Sequence, residues 1–231
     1  MTTASEFLII GHRGAAGLAP ENTLPSFRKA LELGVDAIEL DVYSIEGELL
    51  VFHDDTLDRT TNGTGEIQAQ SLTSLRELDA GQGARIPLLE EVLDLVDGQV
   101  LVNIELKGPD TAEPVAARLG DWPSTRFLVS SFYHGELTRF HQLAPAVPTA
   151  PLFSKTHARM FDIAESLNAW SINLSRRITS SNLLAEIRRR GYRSLIYTVN
   201  DPEMARHLAA DGASGIFTDY PDRCGRAALG L

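Results

Sequence analysis

At 231 residues, with 43% hydrophobic and 23% charged side chains, the chain has the size of a strand-and-helix barrel and too apolar a composition for disorder. Its formal net charge of −10, relieved only by short arginine clusters such as 188–190, opposes binding to nucleic acid, a polyanion. Cys224 is the single cysteine, which excludes an intrachain disulfide scaffold and fits a reducing cytoplasm. The N-terminal stretch 1–7 has no basic flank, and the apolar run 7–10 is too short for a signal or a membrane span, so no stable membrane insertion is expected.

Along the chain, short apolar runs rich in β-branched residues alternate with stretches of helical periodicity, the pattern of parallel strands covered by helices. The first strand is expected at 8–11, then a helix over 24–33 that Asn22 or Thr23 caps and Gly34 ends. The second strand covers 36–42. A further apolar run, 49–53, follows too soon for a parallel crossover and is read as the return arm of a hairpin turning at Glu46-Gly47. With the Gly- and Thr-rich stretch to Arg85 it makes a small insertion, 44–86, that covers the barrel mouth. Helices at 88–96, 112–119, 135–143, 158–167, 181–190 and 202–210 then alternate with strands at 100–106, 127–131, 149–153, 169–174, 194–199 and 215–218. Eight parallel strands predict an α/β fold: a single (β/α)8 TIM-type barrel over 1–231 with that insertion after its second strand. A homo-oligomer is left open.

In such a barrel the C-terminal strand ends face the mouth, so polar residues there are functional suspects. The first strand ends in Gly11-His12-Arg13-Gly14, a titratable imidazole and a fixed cation between glycines, although a surface turn with a salt bridge reads the same way. In the second strand Glu39 and Asp41 alternate with Ile38, Leu40 and Val42, which aims two carboxylates into the barrel. The third parallel strand repeats the device with Glu105 and Lys107. Three converging carboxylates are costly to bury without a cation, and an oxygen-only set suits one divalent metal ion, Mg2+ or Ca2+. Lys107 is either a partner for one of the acids, a contact for an anionic substrate, or both. The hairpin brings His53, followed by Asp54. Two imidazoles, His12 and His53, near one metal are what attack on phosphorus needs, one to take a proton and one to give it. His134 is a weaker candidate at the mouth.

Taken together these residues resemble the glycerophosphodiester phosphodiesterase family. The match runs through His12-Arg13-Gly14, Glu21-Asn22-Thr23, Glu39 and Asp41, His53-Asp54 with Arg59-Thr60-Thr61, Glu105 with Lys107, Ser130-Ser131-Phe132, Thr198-Val199-Asn200 and Thr218-Asp219. The resemblance implies a metal held at Glu39, Asp41 and Glu105, catalytic histidines at His12 and His53, and hydrolysis of a small-molecule glycerophosphodiester to sn-glycerol 3-phosphate and an alcohol. From their charge, Arg13 and Lys107 are expected to neutralise the phosphoryl oxygens, and the resemblance adds an aromatic substrate wall at Phe132 and Tyr197, where Tyr197 replaces the tryptophan that the family pattern leads one to expect. A neighbouring expectation is a lysophospholipase D-like enzyme, its acyl trough drawn from Leu18, Leu57, Phe132 and Phe153. A silent phospholigand-binding barrel leaves the two histidines idle, as does an enolising barrel with Lys107 as base.

Overall fold

The computed structural model describes residues 7–231; the rest of the N-terminal stretch considered above, 1–6, lies outside the described residues. In chain order these form β1 (Leu8–Gly11), α1 (Leu24–Glu32), β2 (Ala37–Ile45), β3 (Glu48–Val51), α2 (Leu72–Glu77), α3 (Leu89–Val96), β4 (Leu101–Leu106), α4 (Ala112–Arg118), β5 (Arg126–Ser131), α5 (His134–Leu143), β6 (Thr149–Phe153), α6 (Met160–Ser166), β7 (Ser171–Ser175), α7 (Ser181–Arg189), β8 (Arg193–Tyr197), α8 (Pro202–Ala210), β9 (Gly215–Thr218), α9 (Pro221–Cys224) and α10 (Arg226–Leu229).

Strand order β1-β9-β8-β7-β6-β5-β4-β2, closed by parallel pairing of β1 with β2, makes the expected eight-stranded parallel barrel. β3 runs antiparallel to β2, and both turn residues, Glu46 and Gly47, have positive φ. That is the geometry a two-residue hairpin turn needs, because its twist then matches that of the strands it joins. Local chemistry sets the helix starts: Thr23, Ser71 and Ser180 each accept a backbone N–H from the first turn, and Asp201 does the same ahead of Pro202.

Alternation along the strands divides the apolar residues between two cores. Ile38, Leu40, Val42, Val102, Ile104 and Leu106 pack outward with the helix layer. Inside the barrel a smaller cluster, Ile10, Ala37, Leu128, Ala150, Leu195 and Phe217, forms an apolar floor, and the next inward positions are polar except for Leu152. The site is thereby mounted on packed side chains.

Three expectations need correction. The second strand does not stop at 42 but runs to Ile45, because its pairing with β3 carries the backbone hydrogen bonding beyond the barrel. The strand expected to 199 ends at Tyr197, after which Val199 N–H bonds to Phe217 and Asn200 turns its side chain to Asp219. The Gly- and Thr-rich stretch to Arg85 is more than a covering loop: its Leu57, Ile67 and Leu75 join Leu50, Phe52 and Ile86 in a core of their own, with α2 in its wall. The short C-terminal helices α9 and α10 were not anticipated.

The turn after β1 is a tight packing constraint near the mouth. Gly14 has φ +85°, and a Cβ there would lie 2.5 Å from Ser26 Oγ and 2.8 Å from Phe27 N. Replacing Gly14 with alanine is expected to destabilise the fold by about 1–3 kcal/mol, from the left-handed backbone and the overlap together. A urea titration checks this as a lowered midpoint with an unchanged m value.

Candidate active site

Parallel register carries the acids of β2 and β4 up the barrel together. Glu39 pairs across the sheet with Asn103, and Asp41 with Glu105. All three carboxylates are buried, at 3%, 1% and 8% exposure for Glu39, Asp41 and Glu105, and each offers an oxygen within 4.8 Å of the others. Lys107 continues the register one step, its N–H bonding to Val42 O.

Such a cluster is electrostatically strained. Burial, then Asp41 and Glu105, push Glu39 well above its ordinary value. Burial, with Asp41 adding to it, pushes Glu105 up to about 7. Two cations relieve part of the charge. Lys107 Nζ donates to Glu105 Oε1 at 3.2 Å and lies 3.8 Å from Asp41 Oδ1. Arg13, at φ +51°, donates its backbone N–H to Glu39 Oε2 at 2.9 Å and holds its guanidinium Nε 3.5 Å from Asp41. Asn22 Nδ2 donates to Asp41 Oδ2 at 2.8 Å. Two cations against three acids leave unmatched negative charge among oxygen donors, the surroundings in which one divalent ion fits.

The two histidines reach the same cavity, about 180 Å³ in volume, from different elements. His12, just past β1, places Nδ1 2.6 Å from Asp219 Oδ1, and Asp219 in turn accepts from Asn200 Nδ2 at 2.6 Å. His53, just past β3, places Nδ1 2.5 Å from Asp54 Oδ1. Burial above all holds His53 below the ordinary imidazole value. Although burial opposes it, the bond to His12 keeps Asp219 below the usual carboxylate range. A carboxylate on Nδ1 fixes each ring and leaves Nε2 for a ligand.

Phe132 and Tyr197 line the cavity with their rings edge to face, centroids 5.9 Å apart. His134 is turned away: its Nε2 lies 3.1 Å from Leu152 O and its ring stacks toward Phe153 and His157. Sequence reading gave no individual role to Asp219, Asn200, Glu21 or Arg59, and offered Asn22 only as a cap for α1, a place that Thr23 takes. All lie in loops, where periodicity is silent, and their only signal was a place in the family pattern. A larger depression of about 600 Å³ opens at the opposite end of the barrel, near Asp36 and Trp170. There Asp36 is already taken up by Arg226 and the Ile9 N–H, and among the described residues no histidine lines it.

Comparison with known proteins identifies a family and a shared fold. Residues 12–223 match the model of the glycerophosphoryl diester phosphodiesterase family. A glycerophosphodiester phosphodiesterase of Caldanaerobacter subterraneus subsp. tengcongensis is 34% identical, over 93% of this chain and 95% of that protein. Among solved structures, an Oleispira antarctica phosphodiesterase in complex with the product sn-glycerol-3-phosphate superposes with a TM-score of 0.91 at 30% identity, covering 97% of each chain. A glycerophosphodiester phosphodiesterase of Agrobacterium tumefaciens gives 0.80 at 32% identity, over 94% of this chain and 98% of that one.

The raised carboxylates give a signed pH dependence. In the metal-free protein the folded state keeps a proton on Glu105 between its ordinary 4.5 and about 7, where the unfolded chain has lost it, and Glu39 is shifted in the same direction. That contribution to stability is present at low pH and is lost as pH rises through about 7. Thermal unfolding in chelator is expected to show a falling midpoint between about pH 5 and pH 8. The upward shift caused by millimolar Mg2+ or Ca2+ should grow over the same interval, since the ion must displace those protons, and should shrink in Asp41→Asn.

Proposed function

This chain belongs to the glycerophosphoryl diester phosphodiesterase family, and we propose that it hydrolyses glycerophosphodiesters to sn-glycerol 3-phosphate and an alcohol with His12 and His53 as its acid–base pair. One observation carries the assignment of roles. Two imidazoles line one small cavity, each with Nδ1 bound to its own carboxylate, beside three buried acids. A binding protein has no use for two braced imidazoles, whereas a phosphodiester reaction needs one proton removed and one delivered. The product held by the Oleispira antarctica phosphodiesterase supports the same chemistry here.

In this reading Glu39, Asp41 and Glu105 hold one divalent ion, Mg2+ or Ca2+ by the hardness of their oxygens, and such an ion supplies charge neutralisation at the phosphoryl group. Arg13 and Lys107 flank the acids with fixed positive charge and orient the phosphate. Burial lowers the ordinary value of Arg13, but Asp41, Glu21 and Glu39 more than compensate, so its cation persists at any working pH. One histidine takes the proton of the nucleophile at Nε2. The other gives a proton to the departing alkoxide, which leaves as the alcohol. The nucleophile is the glycerol 2-hydroxyl, with a cyclic diester opened by water in a second turn of the same pair, or water itself. Phe132 and Tyr197 exclude solvent along the carbon side of the glycerol.

The lysophospholipid alternative loses ground on burial. Leu57 and Phe153 are 2% and 3% exposed and belong to packed cores, so of the four residues suggested for an acyl trough only Leu18 and Phe132 face solvent. Among the described residues no helix is long and apolar enough to cross a membrane.

His12→Ala and His53→Ala should each lower kcat on glycerophosphocholine by about 10²–10⁴-fold while circular dichroism stays unchanged. Parent enzyme should turn over glycerophosphocholine faster than lysophosphatidylcholine. Full turnover in both variants removes the acid–base assignment, and the reverse substrate order favours the lysophospholipid reading.

A further inference from the structure

Arg59 lies in the insertion, half-exposed, outside the packed core that Leu57, Ile67 and Leu75 form beneath it. Four of its five N–H donors nevertheless go to two carboxylates. Nε donates to Asp54 Oδ2 at 2.6 Å and NH2 to Asp54 Oδ1 at 2.9 Å, while NH1 and NH2 donate to Glu21 Oε2 and Oε1 at 2.7 Å each. Each carboxylate leads to a different group in the catalytic cavity. Asp54 Oδ1 is the oxygen 2.5 Å from His53 Nδ1, and Glu21 Oε1 also accepts from Arg13 NH1 at 2.6 Å.

We propose that Arg59 is a positioning residue for hydrolysis: by bridging Glu21 and Asp54 it fixes the carboxylate that orients His53. This rests on the reading of His53 as an acid–base group. Asp54 needs such a brace. It directly follows His53 on the short chain that leaves β3, and among the described residues its side chain has no partner other than His53 and Arg59. Without the fork its carboxylate is free to rotate, and the imidazole loses the contact that sets its tautomer. A planar guanidinium suits the task because it holds both oxygens of Asp54 at once, which one ammonium cannot do. The bond to Arg59 is also the main cause that keeps Asp54 ionised well below the ordinary carboxylate range. With four of its five N–H donors on these carboxylates, the role proposed for Arg59 is to hold them and needs no contact with the phosphate.

The two arms of the bridge make separable predictions. Removing Arg59 leaves the bond between Glu21 and Arg13 in place, so Arg59→Ala should lower kcat on glycerophosphocholine by about 10–100-fold with KM within about threefold. Glu21→Gln releases Arg13 as well and should raise KM in addition to lowering kcat. In an Asp54→Asn background, Arg59→Ala should add less than about a twofold further loss, since the two act as one unit. Guanidinium chloride at about 10–50 mM, against equal sodium chloride as control, should restore part of the turnover of Arg59→Ala but none in the double variant, and Arg59→Lys should recover little. Thermal midpoints and circular dichroism accompany each variant, and Arg59→Gln replaces Arg59→Ala if the latter does not fold. Turnover within twofold of the parent in the folded Arg59 variant, or fully additive losses with Asp54→Asn, overturns the proposal. His53→Ala separates the two levels of the argument: an inactive His53→Ala beside a fully active Arg59 variant sinks the bridge alone, whereas an active His53→Ala sinks the acid–base reading beneath it.

Discussion

The burial of three carboxylates against one another is the constraint around which the rest of the site is arranged. Parallel pairing of β2 with β4 places Asp41 beside Glu105 and, one inward step lower, Glu39 beside Asn103. No rotation of a single side chain separates the charges, because the register belongs to the whole sheet. Arg13, Lys107 and Asn22 each approach the cluster from a loop or strand end and take up part of the excess. Like charges held together in a site that excludes water raise the stability required of everything around them. The barrel meets that requirement with an apolar floor inside and a continuous helix-layer core outside.

Polar and apolar work is therefore divided by height. Ile10, Ala37, Leu128 and Leu195 occupy the lower inward positions, and His12, Glu39, Ser130 and Tyr197 follow two residues further along the same strands. A period of two residues thus separates a packed layer from a layer of cavity-lining groups on these four strands. The cavity-lining groups inherit rigid mounting from the layer below, so groups from four strands meet in a cavity of about 180 Å³ without depending on long loops for their direction.

How much of this could be read from residues alone follows from which signals are local. Alternation in Ala37-Ile38-Glu39-Leu40-Asp41-Val42 states which side chains face inward, and the barrel then brings Glu105 to the same place, so the acid cluster was legible before any coordinates. The hairpin at Glu46-Gly47 was legible for the same reason, since turn chemistry is local. The core of the insertion was not, because Leu57, Ile67 and Leu75 are spaced irregularly along a polar segment and meet only through its folded path. Nor were the partners of the histidines. Asp219 is 207 residues from His12, and Glu21 is 38 from Arg59, separations over which periodicity carries no information. Leu57 and Phe153 illustrate the converse error, apolar residues near the mouth in sequence that the fold consumes as core.

The two histidine braces differ in kind, and the difference gives the insertion a reason to exist. His12 is braced from within the barrel: Asp219 follows β9, the neighbour of β1, and Asn200 follows β8, so three adjacent strand ends make one hydrogen-bonded group. His53 has no such neighbours, because β3 leaves the barrel as the outer arm of a hairpin. Its carboxylate lies at the next residue in the chain, and the cation holding that carboxylate comes from the insertion and anchors on Glu21 in the loop after β1. The excursion thus returns to the barrel at the point where the first strand delivers Arg13. One imidazole is held by sheet geometry, and the other by a surface ion-pair network that closes only when the insertion has folded.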